Sequence, residues 1–299
     1  MKKKFTIGFV LILLVFQVSL LSDIKSYKSV SFCLNIKNDE FYVLRSFYEK
    51  DMKKYLVVDT NSLKTSIINE KKIKKVKCSN SSKYKKMLSK ASKKPYPLIN
   101  DGITHFRYGL YLTTDLCPSS KKGYEREFYK FLVDSFVNPV PITIFITKRW
   151  ILKHKKEFKE LKRWQESGEL DITWGNHTAY HFYKKGIPYR QNFVLNHHEH
   201  LKDDVLELEK YLLENGVIPS VFFRFPGLIS NKKVIKSIKS LGLITIGSDA
   251  WIAKNEYPKE GSIILVHGNK NEHRGIAKLL KIFKQKRLKE LYPLYEGIE

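Results

Sequence analysis

The chain has 299 residues, enough to bury a large core, and its 42% hydrophobic and 13% aromatic content excludes disorder over most of its length. Its formal net charge of +25 would attract polyanions such as nucleic acid, anionic lipid or acidic polysaccharide. Lysine supplies most of this charge and is spread along the chain, and no recognisable nucleic-acid-binding motif accompanies it. We therefore favour a compositional bias and expect no nucleic-acid partner.

The first 22 residues form an export signal. A basic start at residues 1–4 is followed by an uncharged apolar run over residues 5–21. The small residues Ser19 and Ser22 make a poor cleavage site, and the run approaches the length that spans a bilayer. A removed signal peptide and an uncleaved N-terminal membrane anchor therefore both stay open. Either predicts an exported protein that is periplasmic, cell-envelope-associated or secreted.

Residues 23–100 predict a small accessory region that contains β-strands. Short strands are indicated at residues 41–44 and 55–59 by their apolar, β-prone residues. Residues 69–94 are dense in Lys and Ser with little apolar periodicity, and Pro95 and Pro97 follow. We predict that this stretch is a basic, partly mobile linker.

The three cysteines are Cys33, Cys78 and Cys117. In an oxidising compartment Cys33 and Cys78 could form a disulfide and leave Cys117 free, although sequence alone does not fix the connectivity. Their wide separation and the lack of a CxxC pair argue against a structural zinc site.

From residue 101 to residue 299 strands and helices alternate. The pattern predicts strands at residues 106–116, 141–147, 170–174, 221–225, 243–247 and 263–266, and helices at residues 124–137, 150–167, 198–215, 230–241 and 276–291. Gly168 and Gly216 end two of the helices and Ser230 caps another. The alternation predicts an α/β fold, a distorted (β/α) barrel that is either closed or incomplete.

One histidine pair stands just after the strand at residues 170–174. If the chain turns into a helix after Gly175, His177 and His181 would lie on one face and could bind one divalent ion. Histidines at this spacing also occur by chance in cores and on wet surfaces. The strand before the pair favours the metal site, because active sites of barrel folds lie at the carboxyl ends of the strands.

Polar side chains follow the other predicted strands at the same edge. These residues are Asp115, Arg224 with Pro226, Asp249 with Trp251, and His267. Two acids, a guanidinium and three imidazoles would then converge on one face of the barrel. Such a set is suited to metal-assisted hydrolysis.

These residues resemble the motifs of the polysaccharide deacetylases, carbohydrate esterase family four, over roughly the last two-thirds of the chain. Thr-Thr-Asp-Leu-Cys-Pro at residues 113–118 is similar to the family's Thr-Phe-Asp-Asp-Gly-Pro. The other four motifs are similar to residues 175–181, 224–227, 249–251 and 265–269, in order. The resemblance implies a hydrolase that removes N-acetyl groups from an envelope or extracellular polysaccharide with a bound divalent metal, most often zinc.

The resemblance also implies the metal ligands and the base. His177 and His181 would bind the metal, and Asp115 would be the general base that takes a proton from the attacking water. Arg224 would orient Asp115 and hold its charge.

For the acid and the substrate the resemblance implies four further residues. His267 would be the general acid that protonates the leaving amine, tuned by Asp249. Trp251 and Pro226 would contact the substrate.

The chain departs from the family at Leu116, where the family has its third metal ligand, an aspartate. Three alternatives follow. Asp115 could move onto the metal, the two histidines could hold the ion with extra water, or the site could have lost its metal and only bind glycans. A complete acid and base set favours an active enzyme. The alternative is a catalytically inactive glycan-binding protein on the same barrel, and a protein that binds nucleic acid or acidic lipid through charge alone ranks below both.

The remaining candidates carry weaker predictions. His197, His198 and His200 are expected at a solvated helix terminus, while Asn176 and Thr178 are expected to support the histidine ligands or to form a turn. Cys117 is expected to line the pocket without acting as a nucleophile. His105 and His154 are expected to have no role.

Overall fold

The computed structural model describes residues 23–70, 74–286 and 290–298. The N-terminal part is an antiparallel sheet in the order β4-β3-β2-β1-β5. Its strands are β1 (Ile24–Ile36), β2 (Asp39–Glu49), β3 (Met52–Asp59), β4 (Thr65–Asn69) and β5 (Lys74–Val76). The predicted β-containing accessory region is thus a full five-stranded sheet.

A disulfide between Cys33 and Cys78 links β1 to the chain just after β5, so the pairing considered from the sequence is confirmed. The bond is buried at Cys33, and Cys117 is the free cysteine. Because β5 has only three residues, the cross-link adds to a short ladder of hydrogen bonds.

The prediction of a mobile linker at residues 69–94 is wrong where helix α1 (Lys83–Lys90) forms. Ser82 caps this helix, since its side chain accepts a hydrogen bond from the amide of Lys85. Tyr84, Met87 and Leu88 are buried. A helix of two turns has too few apolar positions to stand out among so many lysines and serines, which explains the error.

The second sheet has seven parallel strands in the order β10-β9-β8-β7-β6-β12-β11. They are β6 (Tyr111–Leu116), β7 (Val140–Ile146), β8 (Leu170–Asn176), β9 (Phe222–Phe223), β10 (Ile244–Thr245), β11 (Ala250–Trp251) and β12 (Ile263–His267). With β10 and β11 at opposite ends of this order, the described sheet is an open barrel. The predicted α/β fold with an incomplete barrel is confirmed.

Helices cover the outer face of this sheet, so its central strands are buried along nearly their whole length. They are α2 (Arg126–Ser135), α3 (Lys148–Lys153), α4 (Lys155–Glu166), α5 (Leu201–Glu214), α6 (Lys232–Ser240) and α7 (His273–Lys286). The single helix predicted over residues 150–167 is two helices, because His154 leaves helical geometry at φ −122° and ψ 47°. Asn231, one residue after the predicted Ser230, caps α6.

The N-terminal sheet is joined to the barrel by a shared hydrophobic core and by a buried ion pair with helix α5. Arg45 of β2 binds Glu209 of α5 through two hydrogen bonds of 2.6 and 2.8 Å, and both side chains are almost fully buried. Tyr27 of β1 donates a further bond of 3.0 Å to Glu209. Apolar residues of both sheets, such as Phe47 and Phe222, lie in one buried cluster. The N-terminal sheet is therefore packed into the barrel.

Within the described residues, no helix is both long and apolar enough to span a membrane. The signal or anchor predicted at residues 1–22 lies outside the described residues.

We predict that Arg45→Met lowers the free energy of unfolding by about 3–5 kcal/mol, because it leaves Glu209 as a buried charge without its partner. Adding Glu209→Leu to this variant should recover part of the loss, since no unpaired charge then remains. Urea denaturation followed by far-ultraviolet circular dichroism measures both effects. The control Lys130→Met, which removes an exposed pair with Asp134, should leave the stability near that of the parent protein. A double variant no more stable than Arg45→Met would contradict the assignment.

Candidate active site

The site is built on a buried ion pair between the ends of two strands. Nη1 of Arg224 donates to Oδ1 of Asp115 at 2.7 Å. The same guanidinium donates to Oγ1 of Thr113 and to the carbonyl of Gly247, both at 2.8 Å, and to the carbonyl of Ile246 at 3.3 Å. Arg224 is fully buried, and these bonds fix its position.

The floor below this pair is aromatic. The guanidinium of Arg224 lies over the ring of Phe145, 4.2 Å from the ring centre. Gly175 on the neighbouring strand makes room for that ring, because a Cβ at residue 175 would come within 2.5 Å of Cδ1 of Phe145. The glycine of the second motif is thus explained by close packing.

His177 and His181 lie in a loop after β8, and the predicted helix is wrong here. Thr178 and His181 have φ angles of 67° and 48°, in the left-handed region, which an α-helix does not allow. The two rings are nevertheless in edge-to-face contact, with their centres 4.9 Å apart. The spacing of four residues therefore brings the imidazoles together by a different backbone path.

Hydrogen bonds from the N-terminal end of α5 hold this loop. Oδ1 of Asp204 accepts from the amides of Ala179 and Tyr180 at 2.9 and 3.0 Å. Asn176 donates to the carbonyl of Val205 at 3.0 Å and accepts from the amide of Thr178 at 2.9 Å. The turn-forming role considered for Asn176 matches these bonds.

Each histidine has a nitrogen available to a cation. Nδ1 of His177 lies 2.8 Å from the carbonyl oxygen of Arg224, and because a carbonyl only accepts, Nδ1 carries the hydrogen. The Nε2 lone pair of His177 is then directed into the site. Nε2 of His181 is buried and has no hydrogen-bond partner in the described structure.

Cys117 lies beside these nitrogens. Its Sγ is 3.5 Å from Nε2 of His177, and Cys117, His177 and His181 each place one ligand atom within 4.8 Å of the other two. Asp115, Cys117 and His267 form a second group of this kind. Leu116, at the family's third-ligand position, is fully buried in the hydrophobic core. The donors present therefore fit a divalent metal, with a sulfur where the resemblance implies an oxygen.

His267 is paired with Glu272, and the predicted tuning by Asp249 is wrong. Nδ1 of His267 lies 2.8 Å from Oε2 of Glu272, which also accepts from the indole of Trp251 at 3.0 Å. Asp249 instead contacts Nδ1 of His105 at 2.8 Å and accepts from the amide of Ile263.

A hydrogen bond therefore engages His105, which we expected to have no role. Asp249 directly precedes β11 and bonds the first residue of β12, so it lies at the amino end of these strands and not at the carboxyl edge predicted from the sequence.

The charges shift the pKa values at the site. Burial alone would raise the pKa of Asp115, but the positive charges of Arg224, His177 and His267 lower it below its usual value. Burial would lower the pKa of His267, but its contacts with Cys117 and Glu272 raise it well above its usual range. Burial would raise the pKa of the Cys117 thiol, but His181 and His177 hold it well below its usual value. An ionised carboxylate and a protonated imidazole are thus both favoured at neutral pH.

Beside these groups is an open cleft of ≈ 620 Å³. Its lining includes Cys117, His181, Trp251, His267 and Phe193. The predicted substrate residue Trp251 is therefore on the wall of the cleft.

Pro226 is buried, and the lining of the cleft includes Gly227 beside it, so contact of Pro226 with substrate stays a prediction. Of the other histidines, His197 and His200 are exposed, as expected.

Two residues of the site have only weak signals in the sequence. Cys117 stands two positions after Asp115, and a thiol near a histidine pair is a possible ligand. Glu272 is five residues beyond His267, on the loop that leads into α7, and no periodicity marks it. Its contact could only be found from the fold.

Several solved structures are similar to this chain. A family 4 carbohydrate esterase from Bacillus anthracis is 20% identical with a TM-score of 0.47, over 71% of this chain and 89% of that chain. The chitin deacetylase of the fungal pathogen Colletotrichum lindemuthianum is 16% identical with a TM-score of 0.48, over 67% and 92%. A family 4 pseudoenzyme from Bacillus anthracis is 14% identical with a TM-score of 0.41, over 64% and 66%.

The family model described as polysaccharide deacetylase matches residues 107–246. The matched range holds Asp115, Cys117, His177, His181 and Arg224, while His267 and Glu272 lie beyond it. Residues 107–246 of this chain belong to the polysaccharide deacetylase family.

Proposed function

We propose that this protein is a metal-dependent hydrolase that removes N-acetyl groups from a polysaccharide. The observation that carries the proposal is the convergence of Asp115 with Arg224, of the pair His177 and His181, and of His267 beside one cleft, which His181 and His267 line. A base, an acid and a bound metal are one set of groups that can hydrolyse an amide. Family membership of residues 107–246 supports the same activity.

In this proposal Asp115 is the general base. Its Oδ1 is held by Arg224, and its Oδ2 lies 3.8 Å from Nε2 of His177, at the edge of the metal site. Oδ2 would take a proton from the water that attacks the acetyl carbon. Arg224 keeps the carboxylate ionised and in place, so that the proton is accepted in one fixed position.

His267, which lines the cleft, is the general acid in this proposal. The carboxylate of Glu272 favours the protonated ring, which would donate a proton to the nitrogen that leaves as an amine. Trp251 lies near this ring, with the two ring centres 5.9 Å apart, and would hold the sugar or the acetyl methyl group against it.

A divalent cation held by His177 and His181 would supply positive charge for the acetyl oxygen and would lower the pKa of water. Zinc is the ion that we propose, because imidazole nitrogen is among its usual ligands. The fit rests on Nε2 of His181, which is buried without a hydrogen-bond partner in the described residues.

We further propose that the protein is exported and acts on an envelope or extracellular glycan. The disulfide between Cys33 and Cys78 is typical of an oxidising compartment. The basic and apolar sequence of residues 1–22 supports export, either as a signal peptide or as an anchor through residues 5–21. Residues 23–100 would act as an accessory region and residues 101–299 as the catalytic domain.

The test is acetate release by the full chain from N-acetylglucosamine oligomers and from peptidoglycan fragments. We expect release by the zinc-loaded protein, loss of release after treatment with a chelator, and recovery on adding zinc back. Absence of acetate from every glycan, with one zinc bound per chain, would contradict the proposal.

A change at the base should separate chemistry from metal binding. We predict that Asp115→Asn lowers kcat by about 10²–10⁴-fold while zinc stays bound, because an amide cannot accept the proton. Acetate release and zinc content measured on the same sample check this. A variant that keeps the parent kcat would remove Asp115 from the role of base.

The acid side can be tested by the choice of leaving group. We predict that Glu272→Gln and His267→Gln lose far more activity on N-acetylglucosamine oligomers than on 4-nitrophenyl acetate, because a phenolate leaves without a proton. The contrast is the ratio of the two kcat/KM values. Asp249→Asn, which removes a carboxylate outside the contacts of His267, is the control and should keep the parent ratio. If Asp249→Asn lowered this ratio and Glu272→Gln did not, Asp249 would be the residue that tunes His267, as predicted from the sequence.

A second candidate function is glycan binding without catalysis. The observation that favours it is Leu116, which stands in the core where the family has a metal-binding aspartate. Under this alternative the cleft binds oligosaccharide, the protein retains no zinc after dialysis, and acetate is never released.

A further inference from the structure

Cys117 occupies the space where a third metal ligand is needed. The backbone of β6 turns the side chain of Leu116 into the core, where it is fully buried with residues such as Ile146. An acid at position 116 would therefore be a buried charge among apolar side chains. The next residue, Cys117, leaves the strand and directs its sulfur to His177.

We infer that the thiolate of Cys117 is the third protein ligand of the metal, so that the site is built from one cysteine and two histidines. This inference rests on the metal-dependent function proposed above. It replaces the three alternatives that the sequence left open at Leu116.

The distances fit this ligand set. In a tetrahedral zinc site, with Zn–S of about 2.3 Å and Zn–N of about 2.0–2.1 Å, a sulfur and a nitrogen ligand lie about 3.5 Å apart. The distance from Sγ of Cys117 to Nε2 of His177 is 3.5 Å. A hydrogen bond between a thiol and an imidazole could have the same length, but it would leave Nε2 of His181 buried without a partner.

The second possible group, Asp115 with Cys117 and His267, fits less well. Oδ1 of Asp115 is bound by Arg224, and Nδ1 of His267 contacts Glu272. Both residues thus already have charged partners suited to a base and an acid. Nε2 of His177 lies 3.5 Å from Sγ of Cys117 and farther, 3.8 Å, from Asp115, and Nε2 of His181 has no hydrogen-bond partner in the described structure, so we place the metal between these histidines and Cys117.

The surroundings of Cys117 support a fixed ligand. Its carbonyl accepts a hydrogen bond of 2.8 Å from the side chain of Asn269, and its side chain is nearly buried but reaches the cleft. The other two cysteines of the chain form a disulfide. Any cysteine sulfur bound to the metal in the folded protein would therefore come from Cys117.

Sulfur changes the metal preference. A thiolate is a softer donor than the carboxylate of the family motif and favours zinc, cobalt or cadmium over manganese or magnesium. Cys117→Asp, which supplies an oxygen from the same position, should shift the preference toward the harder ions.

The direct test is X-ray absorption at the zinc edge of the full-length protein with one zinc bound. We expect one sulfur at about 2.3 Å beside nitrogen and oxygen ligands, and the loss of this sulfur in Cys117→Ser. A parent spectrum with nitrogen and oxygen ligands only would overturn the inference. So would a sulfur signal that persists in Cys117→Ser.

Cobalt titration gives a second readout. The parent protein should show a sulfur-to-cobalt charge-transfer band, and Cys117→Ser should lose it and bind zinc at least about 100-fold more weakly, beyond the loss typical of residues that only support a ligand. His200→Ala, an exposed histidine outside the site, should keep the parent band and affinity. Equal zinc affinity in Cys117→Ser would overturn the inference.

Acetate release measured on the same samples separates this inference from the proposed function. A sulfur ligand without acetate release would keep the ligand set and reject the hydrolase. Acetate release with no sulfur ligand would keep the hydrolase and reject Cys117 as a metal ligand. Circular dichroism of the metal-free variants checks the fold, and if Cys117→Ser does not fold, the spectrum of the parent protein alone decides.

Discussion

The buried pair of Arg224 and Asp115 is the constraint on which the site depends. A guanidinium without solvent needs a counter-charge and a partner for each of its donors, and here it finds both only at the carboxyl ends of the strands. Its bonds reach Thr113 in β6 and the carbonyl of Gly247 after β10. One side chain thus ties together parts of the sheet edge that are not neighbours in strand order, and it keeps the carboxylate ionised in a setting where burial alone would favour its protonated form.

The two ionisable groups nearest this site, Asp115 and His267, have different charged partners. The carboxylate of Asp115 and the imidazole of His267 lie on neighbouring strands that pair in register at these two residues. Sγ of Cys117 lies within 4.8 Å of a side-chain atom of each of them. Because His267 has its own carboxylate partner in Glu272, its protonated form is favoured while Asp115 stays ionised. Groups with opposite tasks can therefore stand a few ångströms apart and hold different protonation states.

Much of this arrangement could be predicted from local patterns. Apolar runs that end in polar residues predicted the positions of the strands along the chain and the edge where Asp115, Arg224 and His267 meet, since parallel strands share one direction. The partner of His267 could not be predicted. Whether Glu272 or Asp249 contacts this ring depends on the path of the loops and the direction of the side chains, which leave no pattern in the sequence. The loop of His177 was mistaken for a helix, since left-handed φ angles at Thr178 leave no periodic trace. The N-terminal sheet was underestimated because its β1, with register shifts, alternates poorly.

Helix α5 contacts both the loop of His177 and the N-terminal sheet. Asp204 in its first turn holds the amides of the His177 loop, and Glu209 binds Arg45 of the N-terminal sheet. These two residues are separated by only about 7 to 8 Å of helix, at 1.5 Å per residue. Local opening of the N-terminal sheet would expose the charge of Glu209 and loosen the helix that fixes the histidine loop. The geometry of the cleft is therefore a property of the whole folded chain, and substitutions in the N-terminal sheet that disturb Arg45 would also act on the histidine loop through this helix.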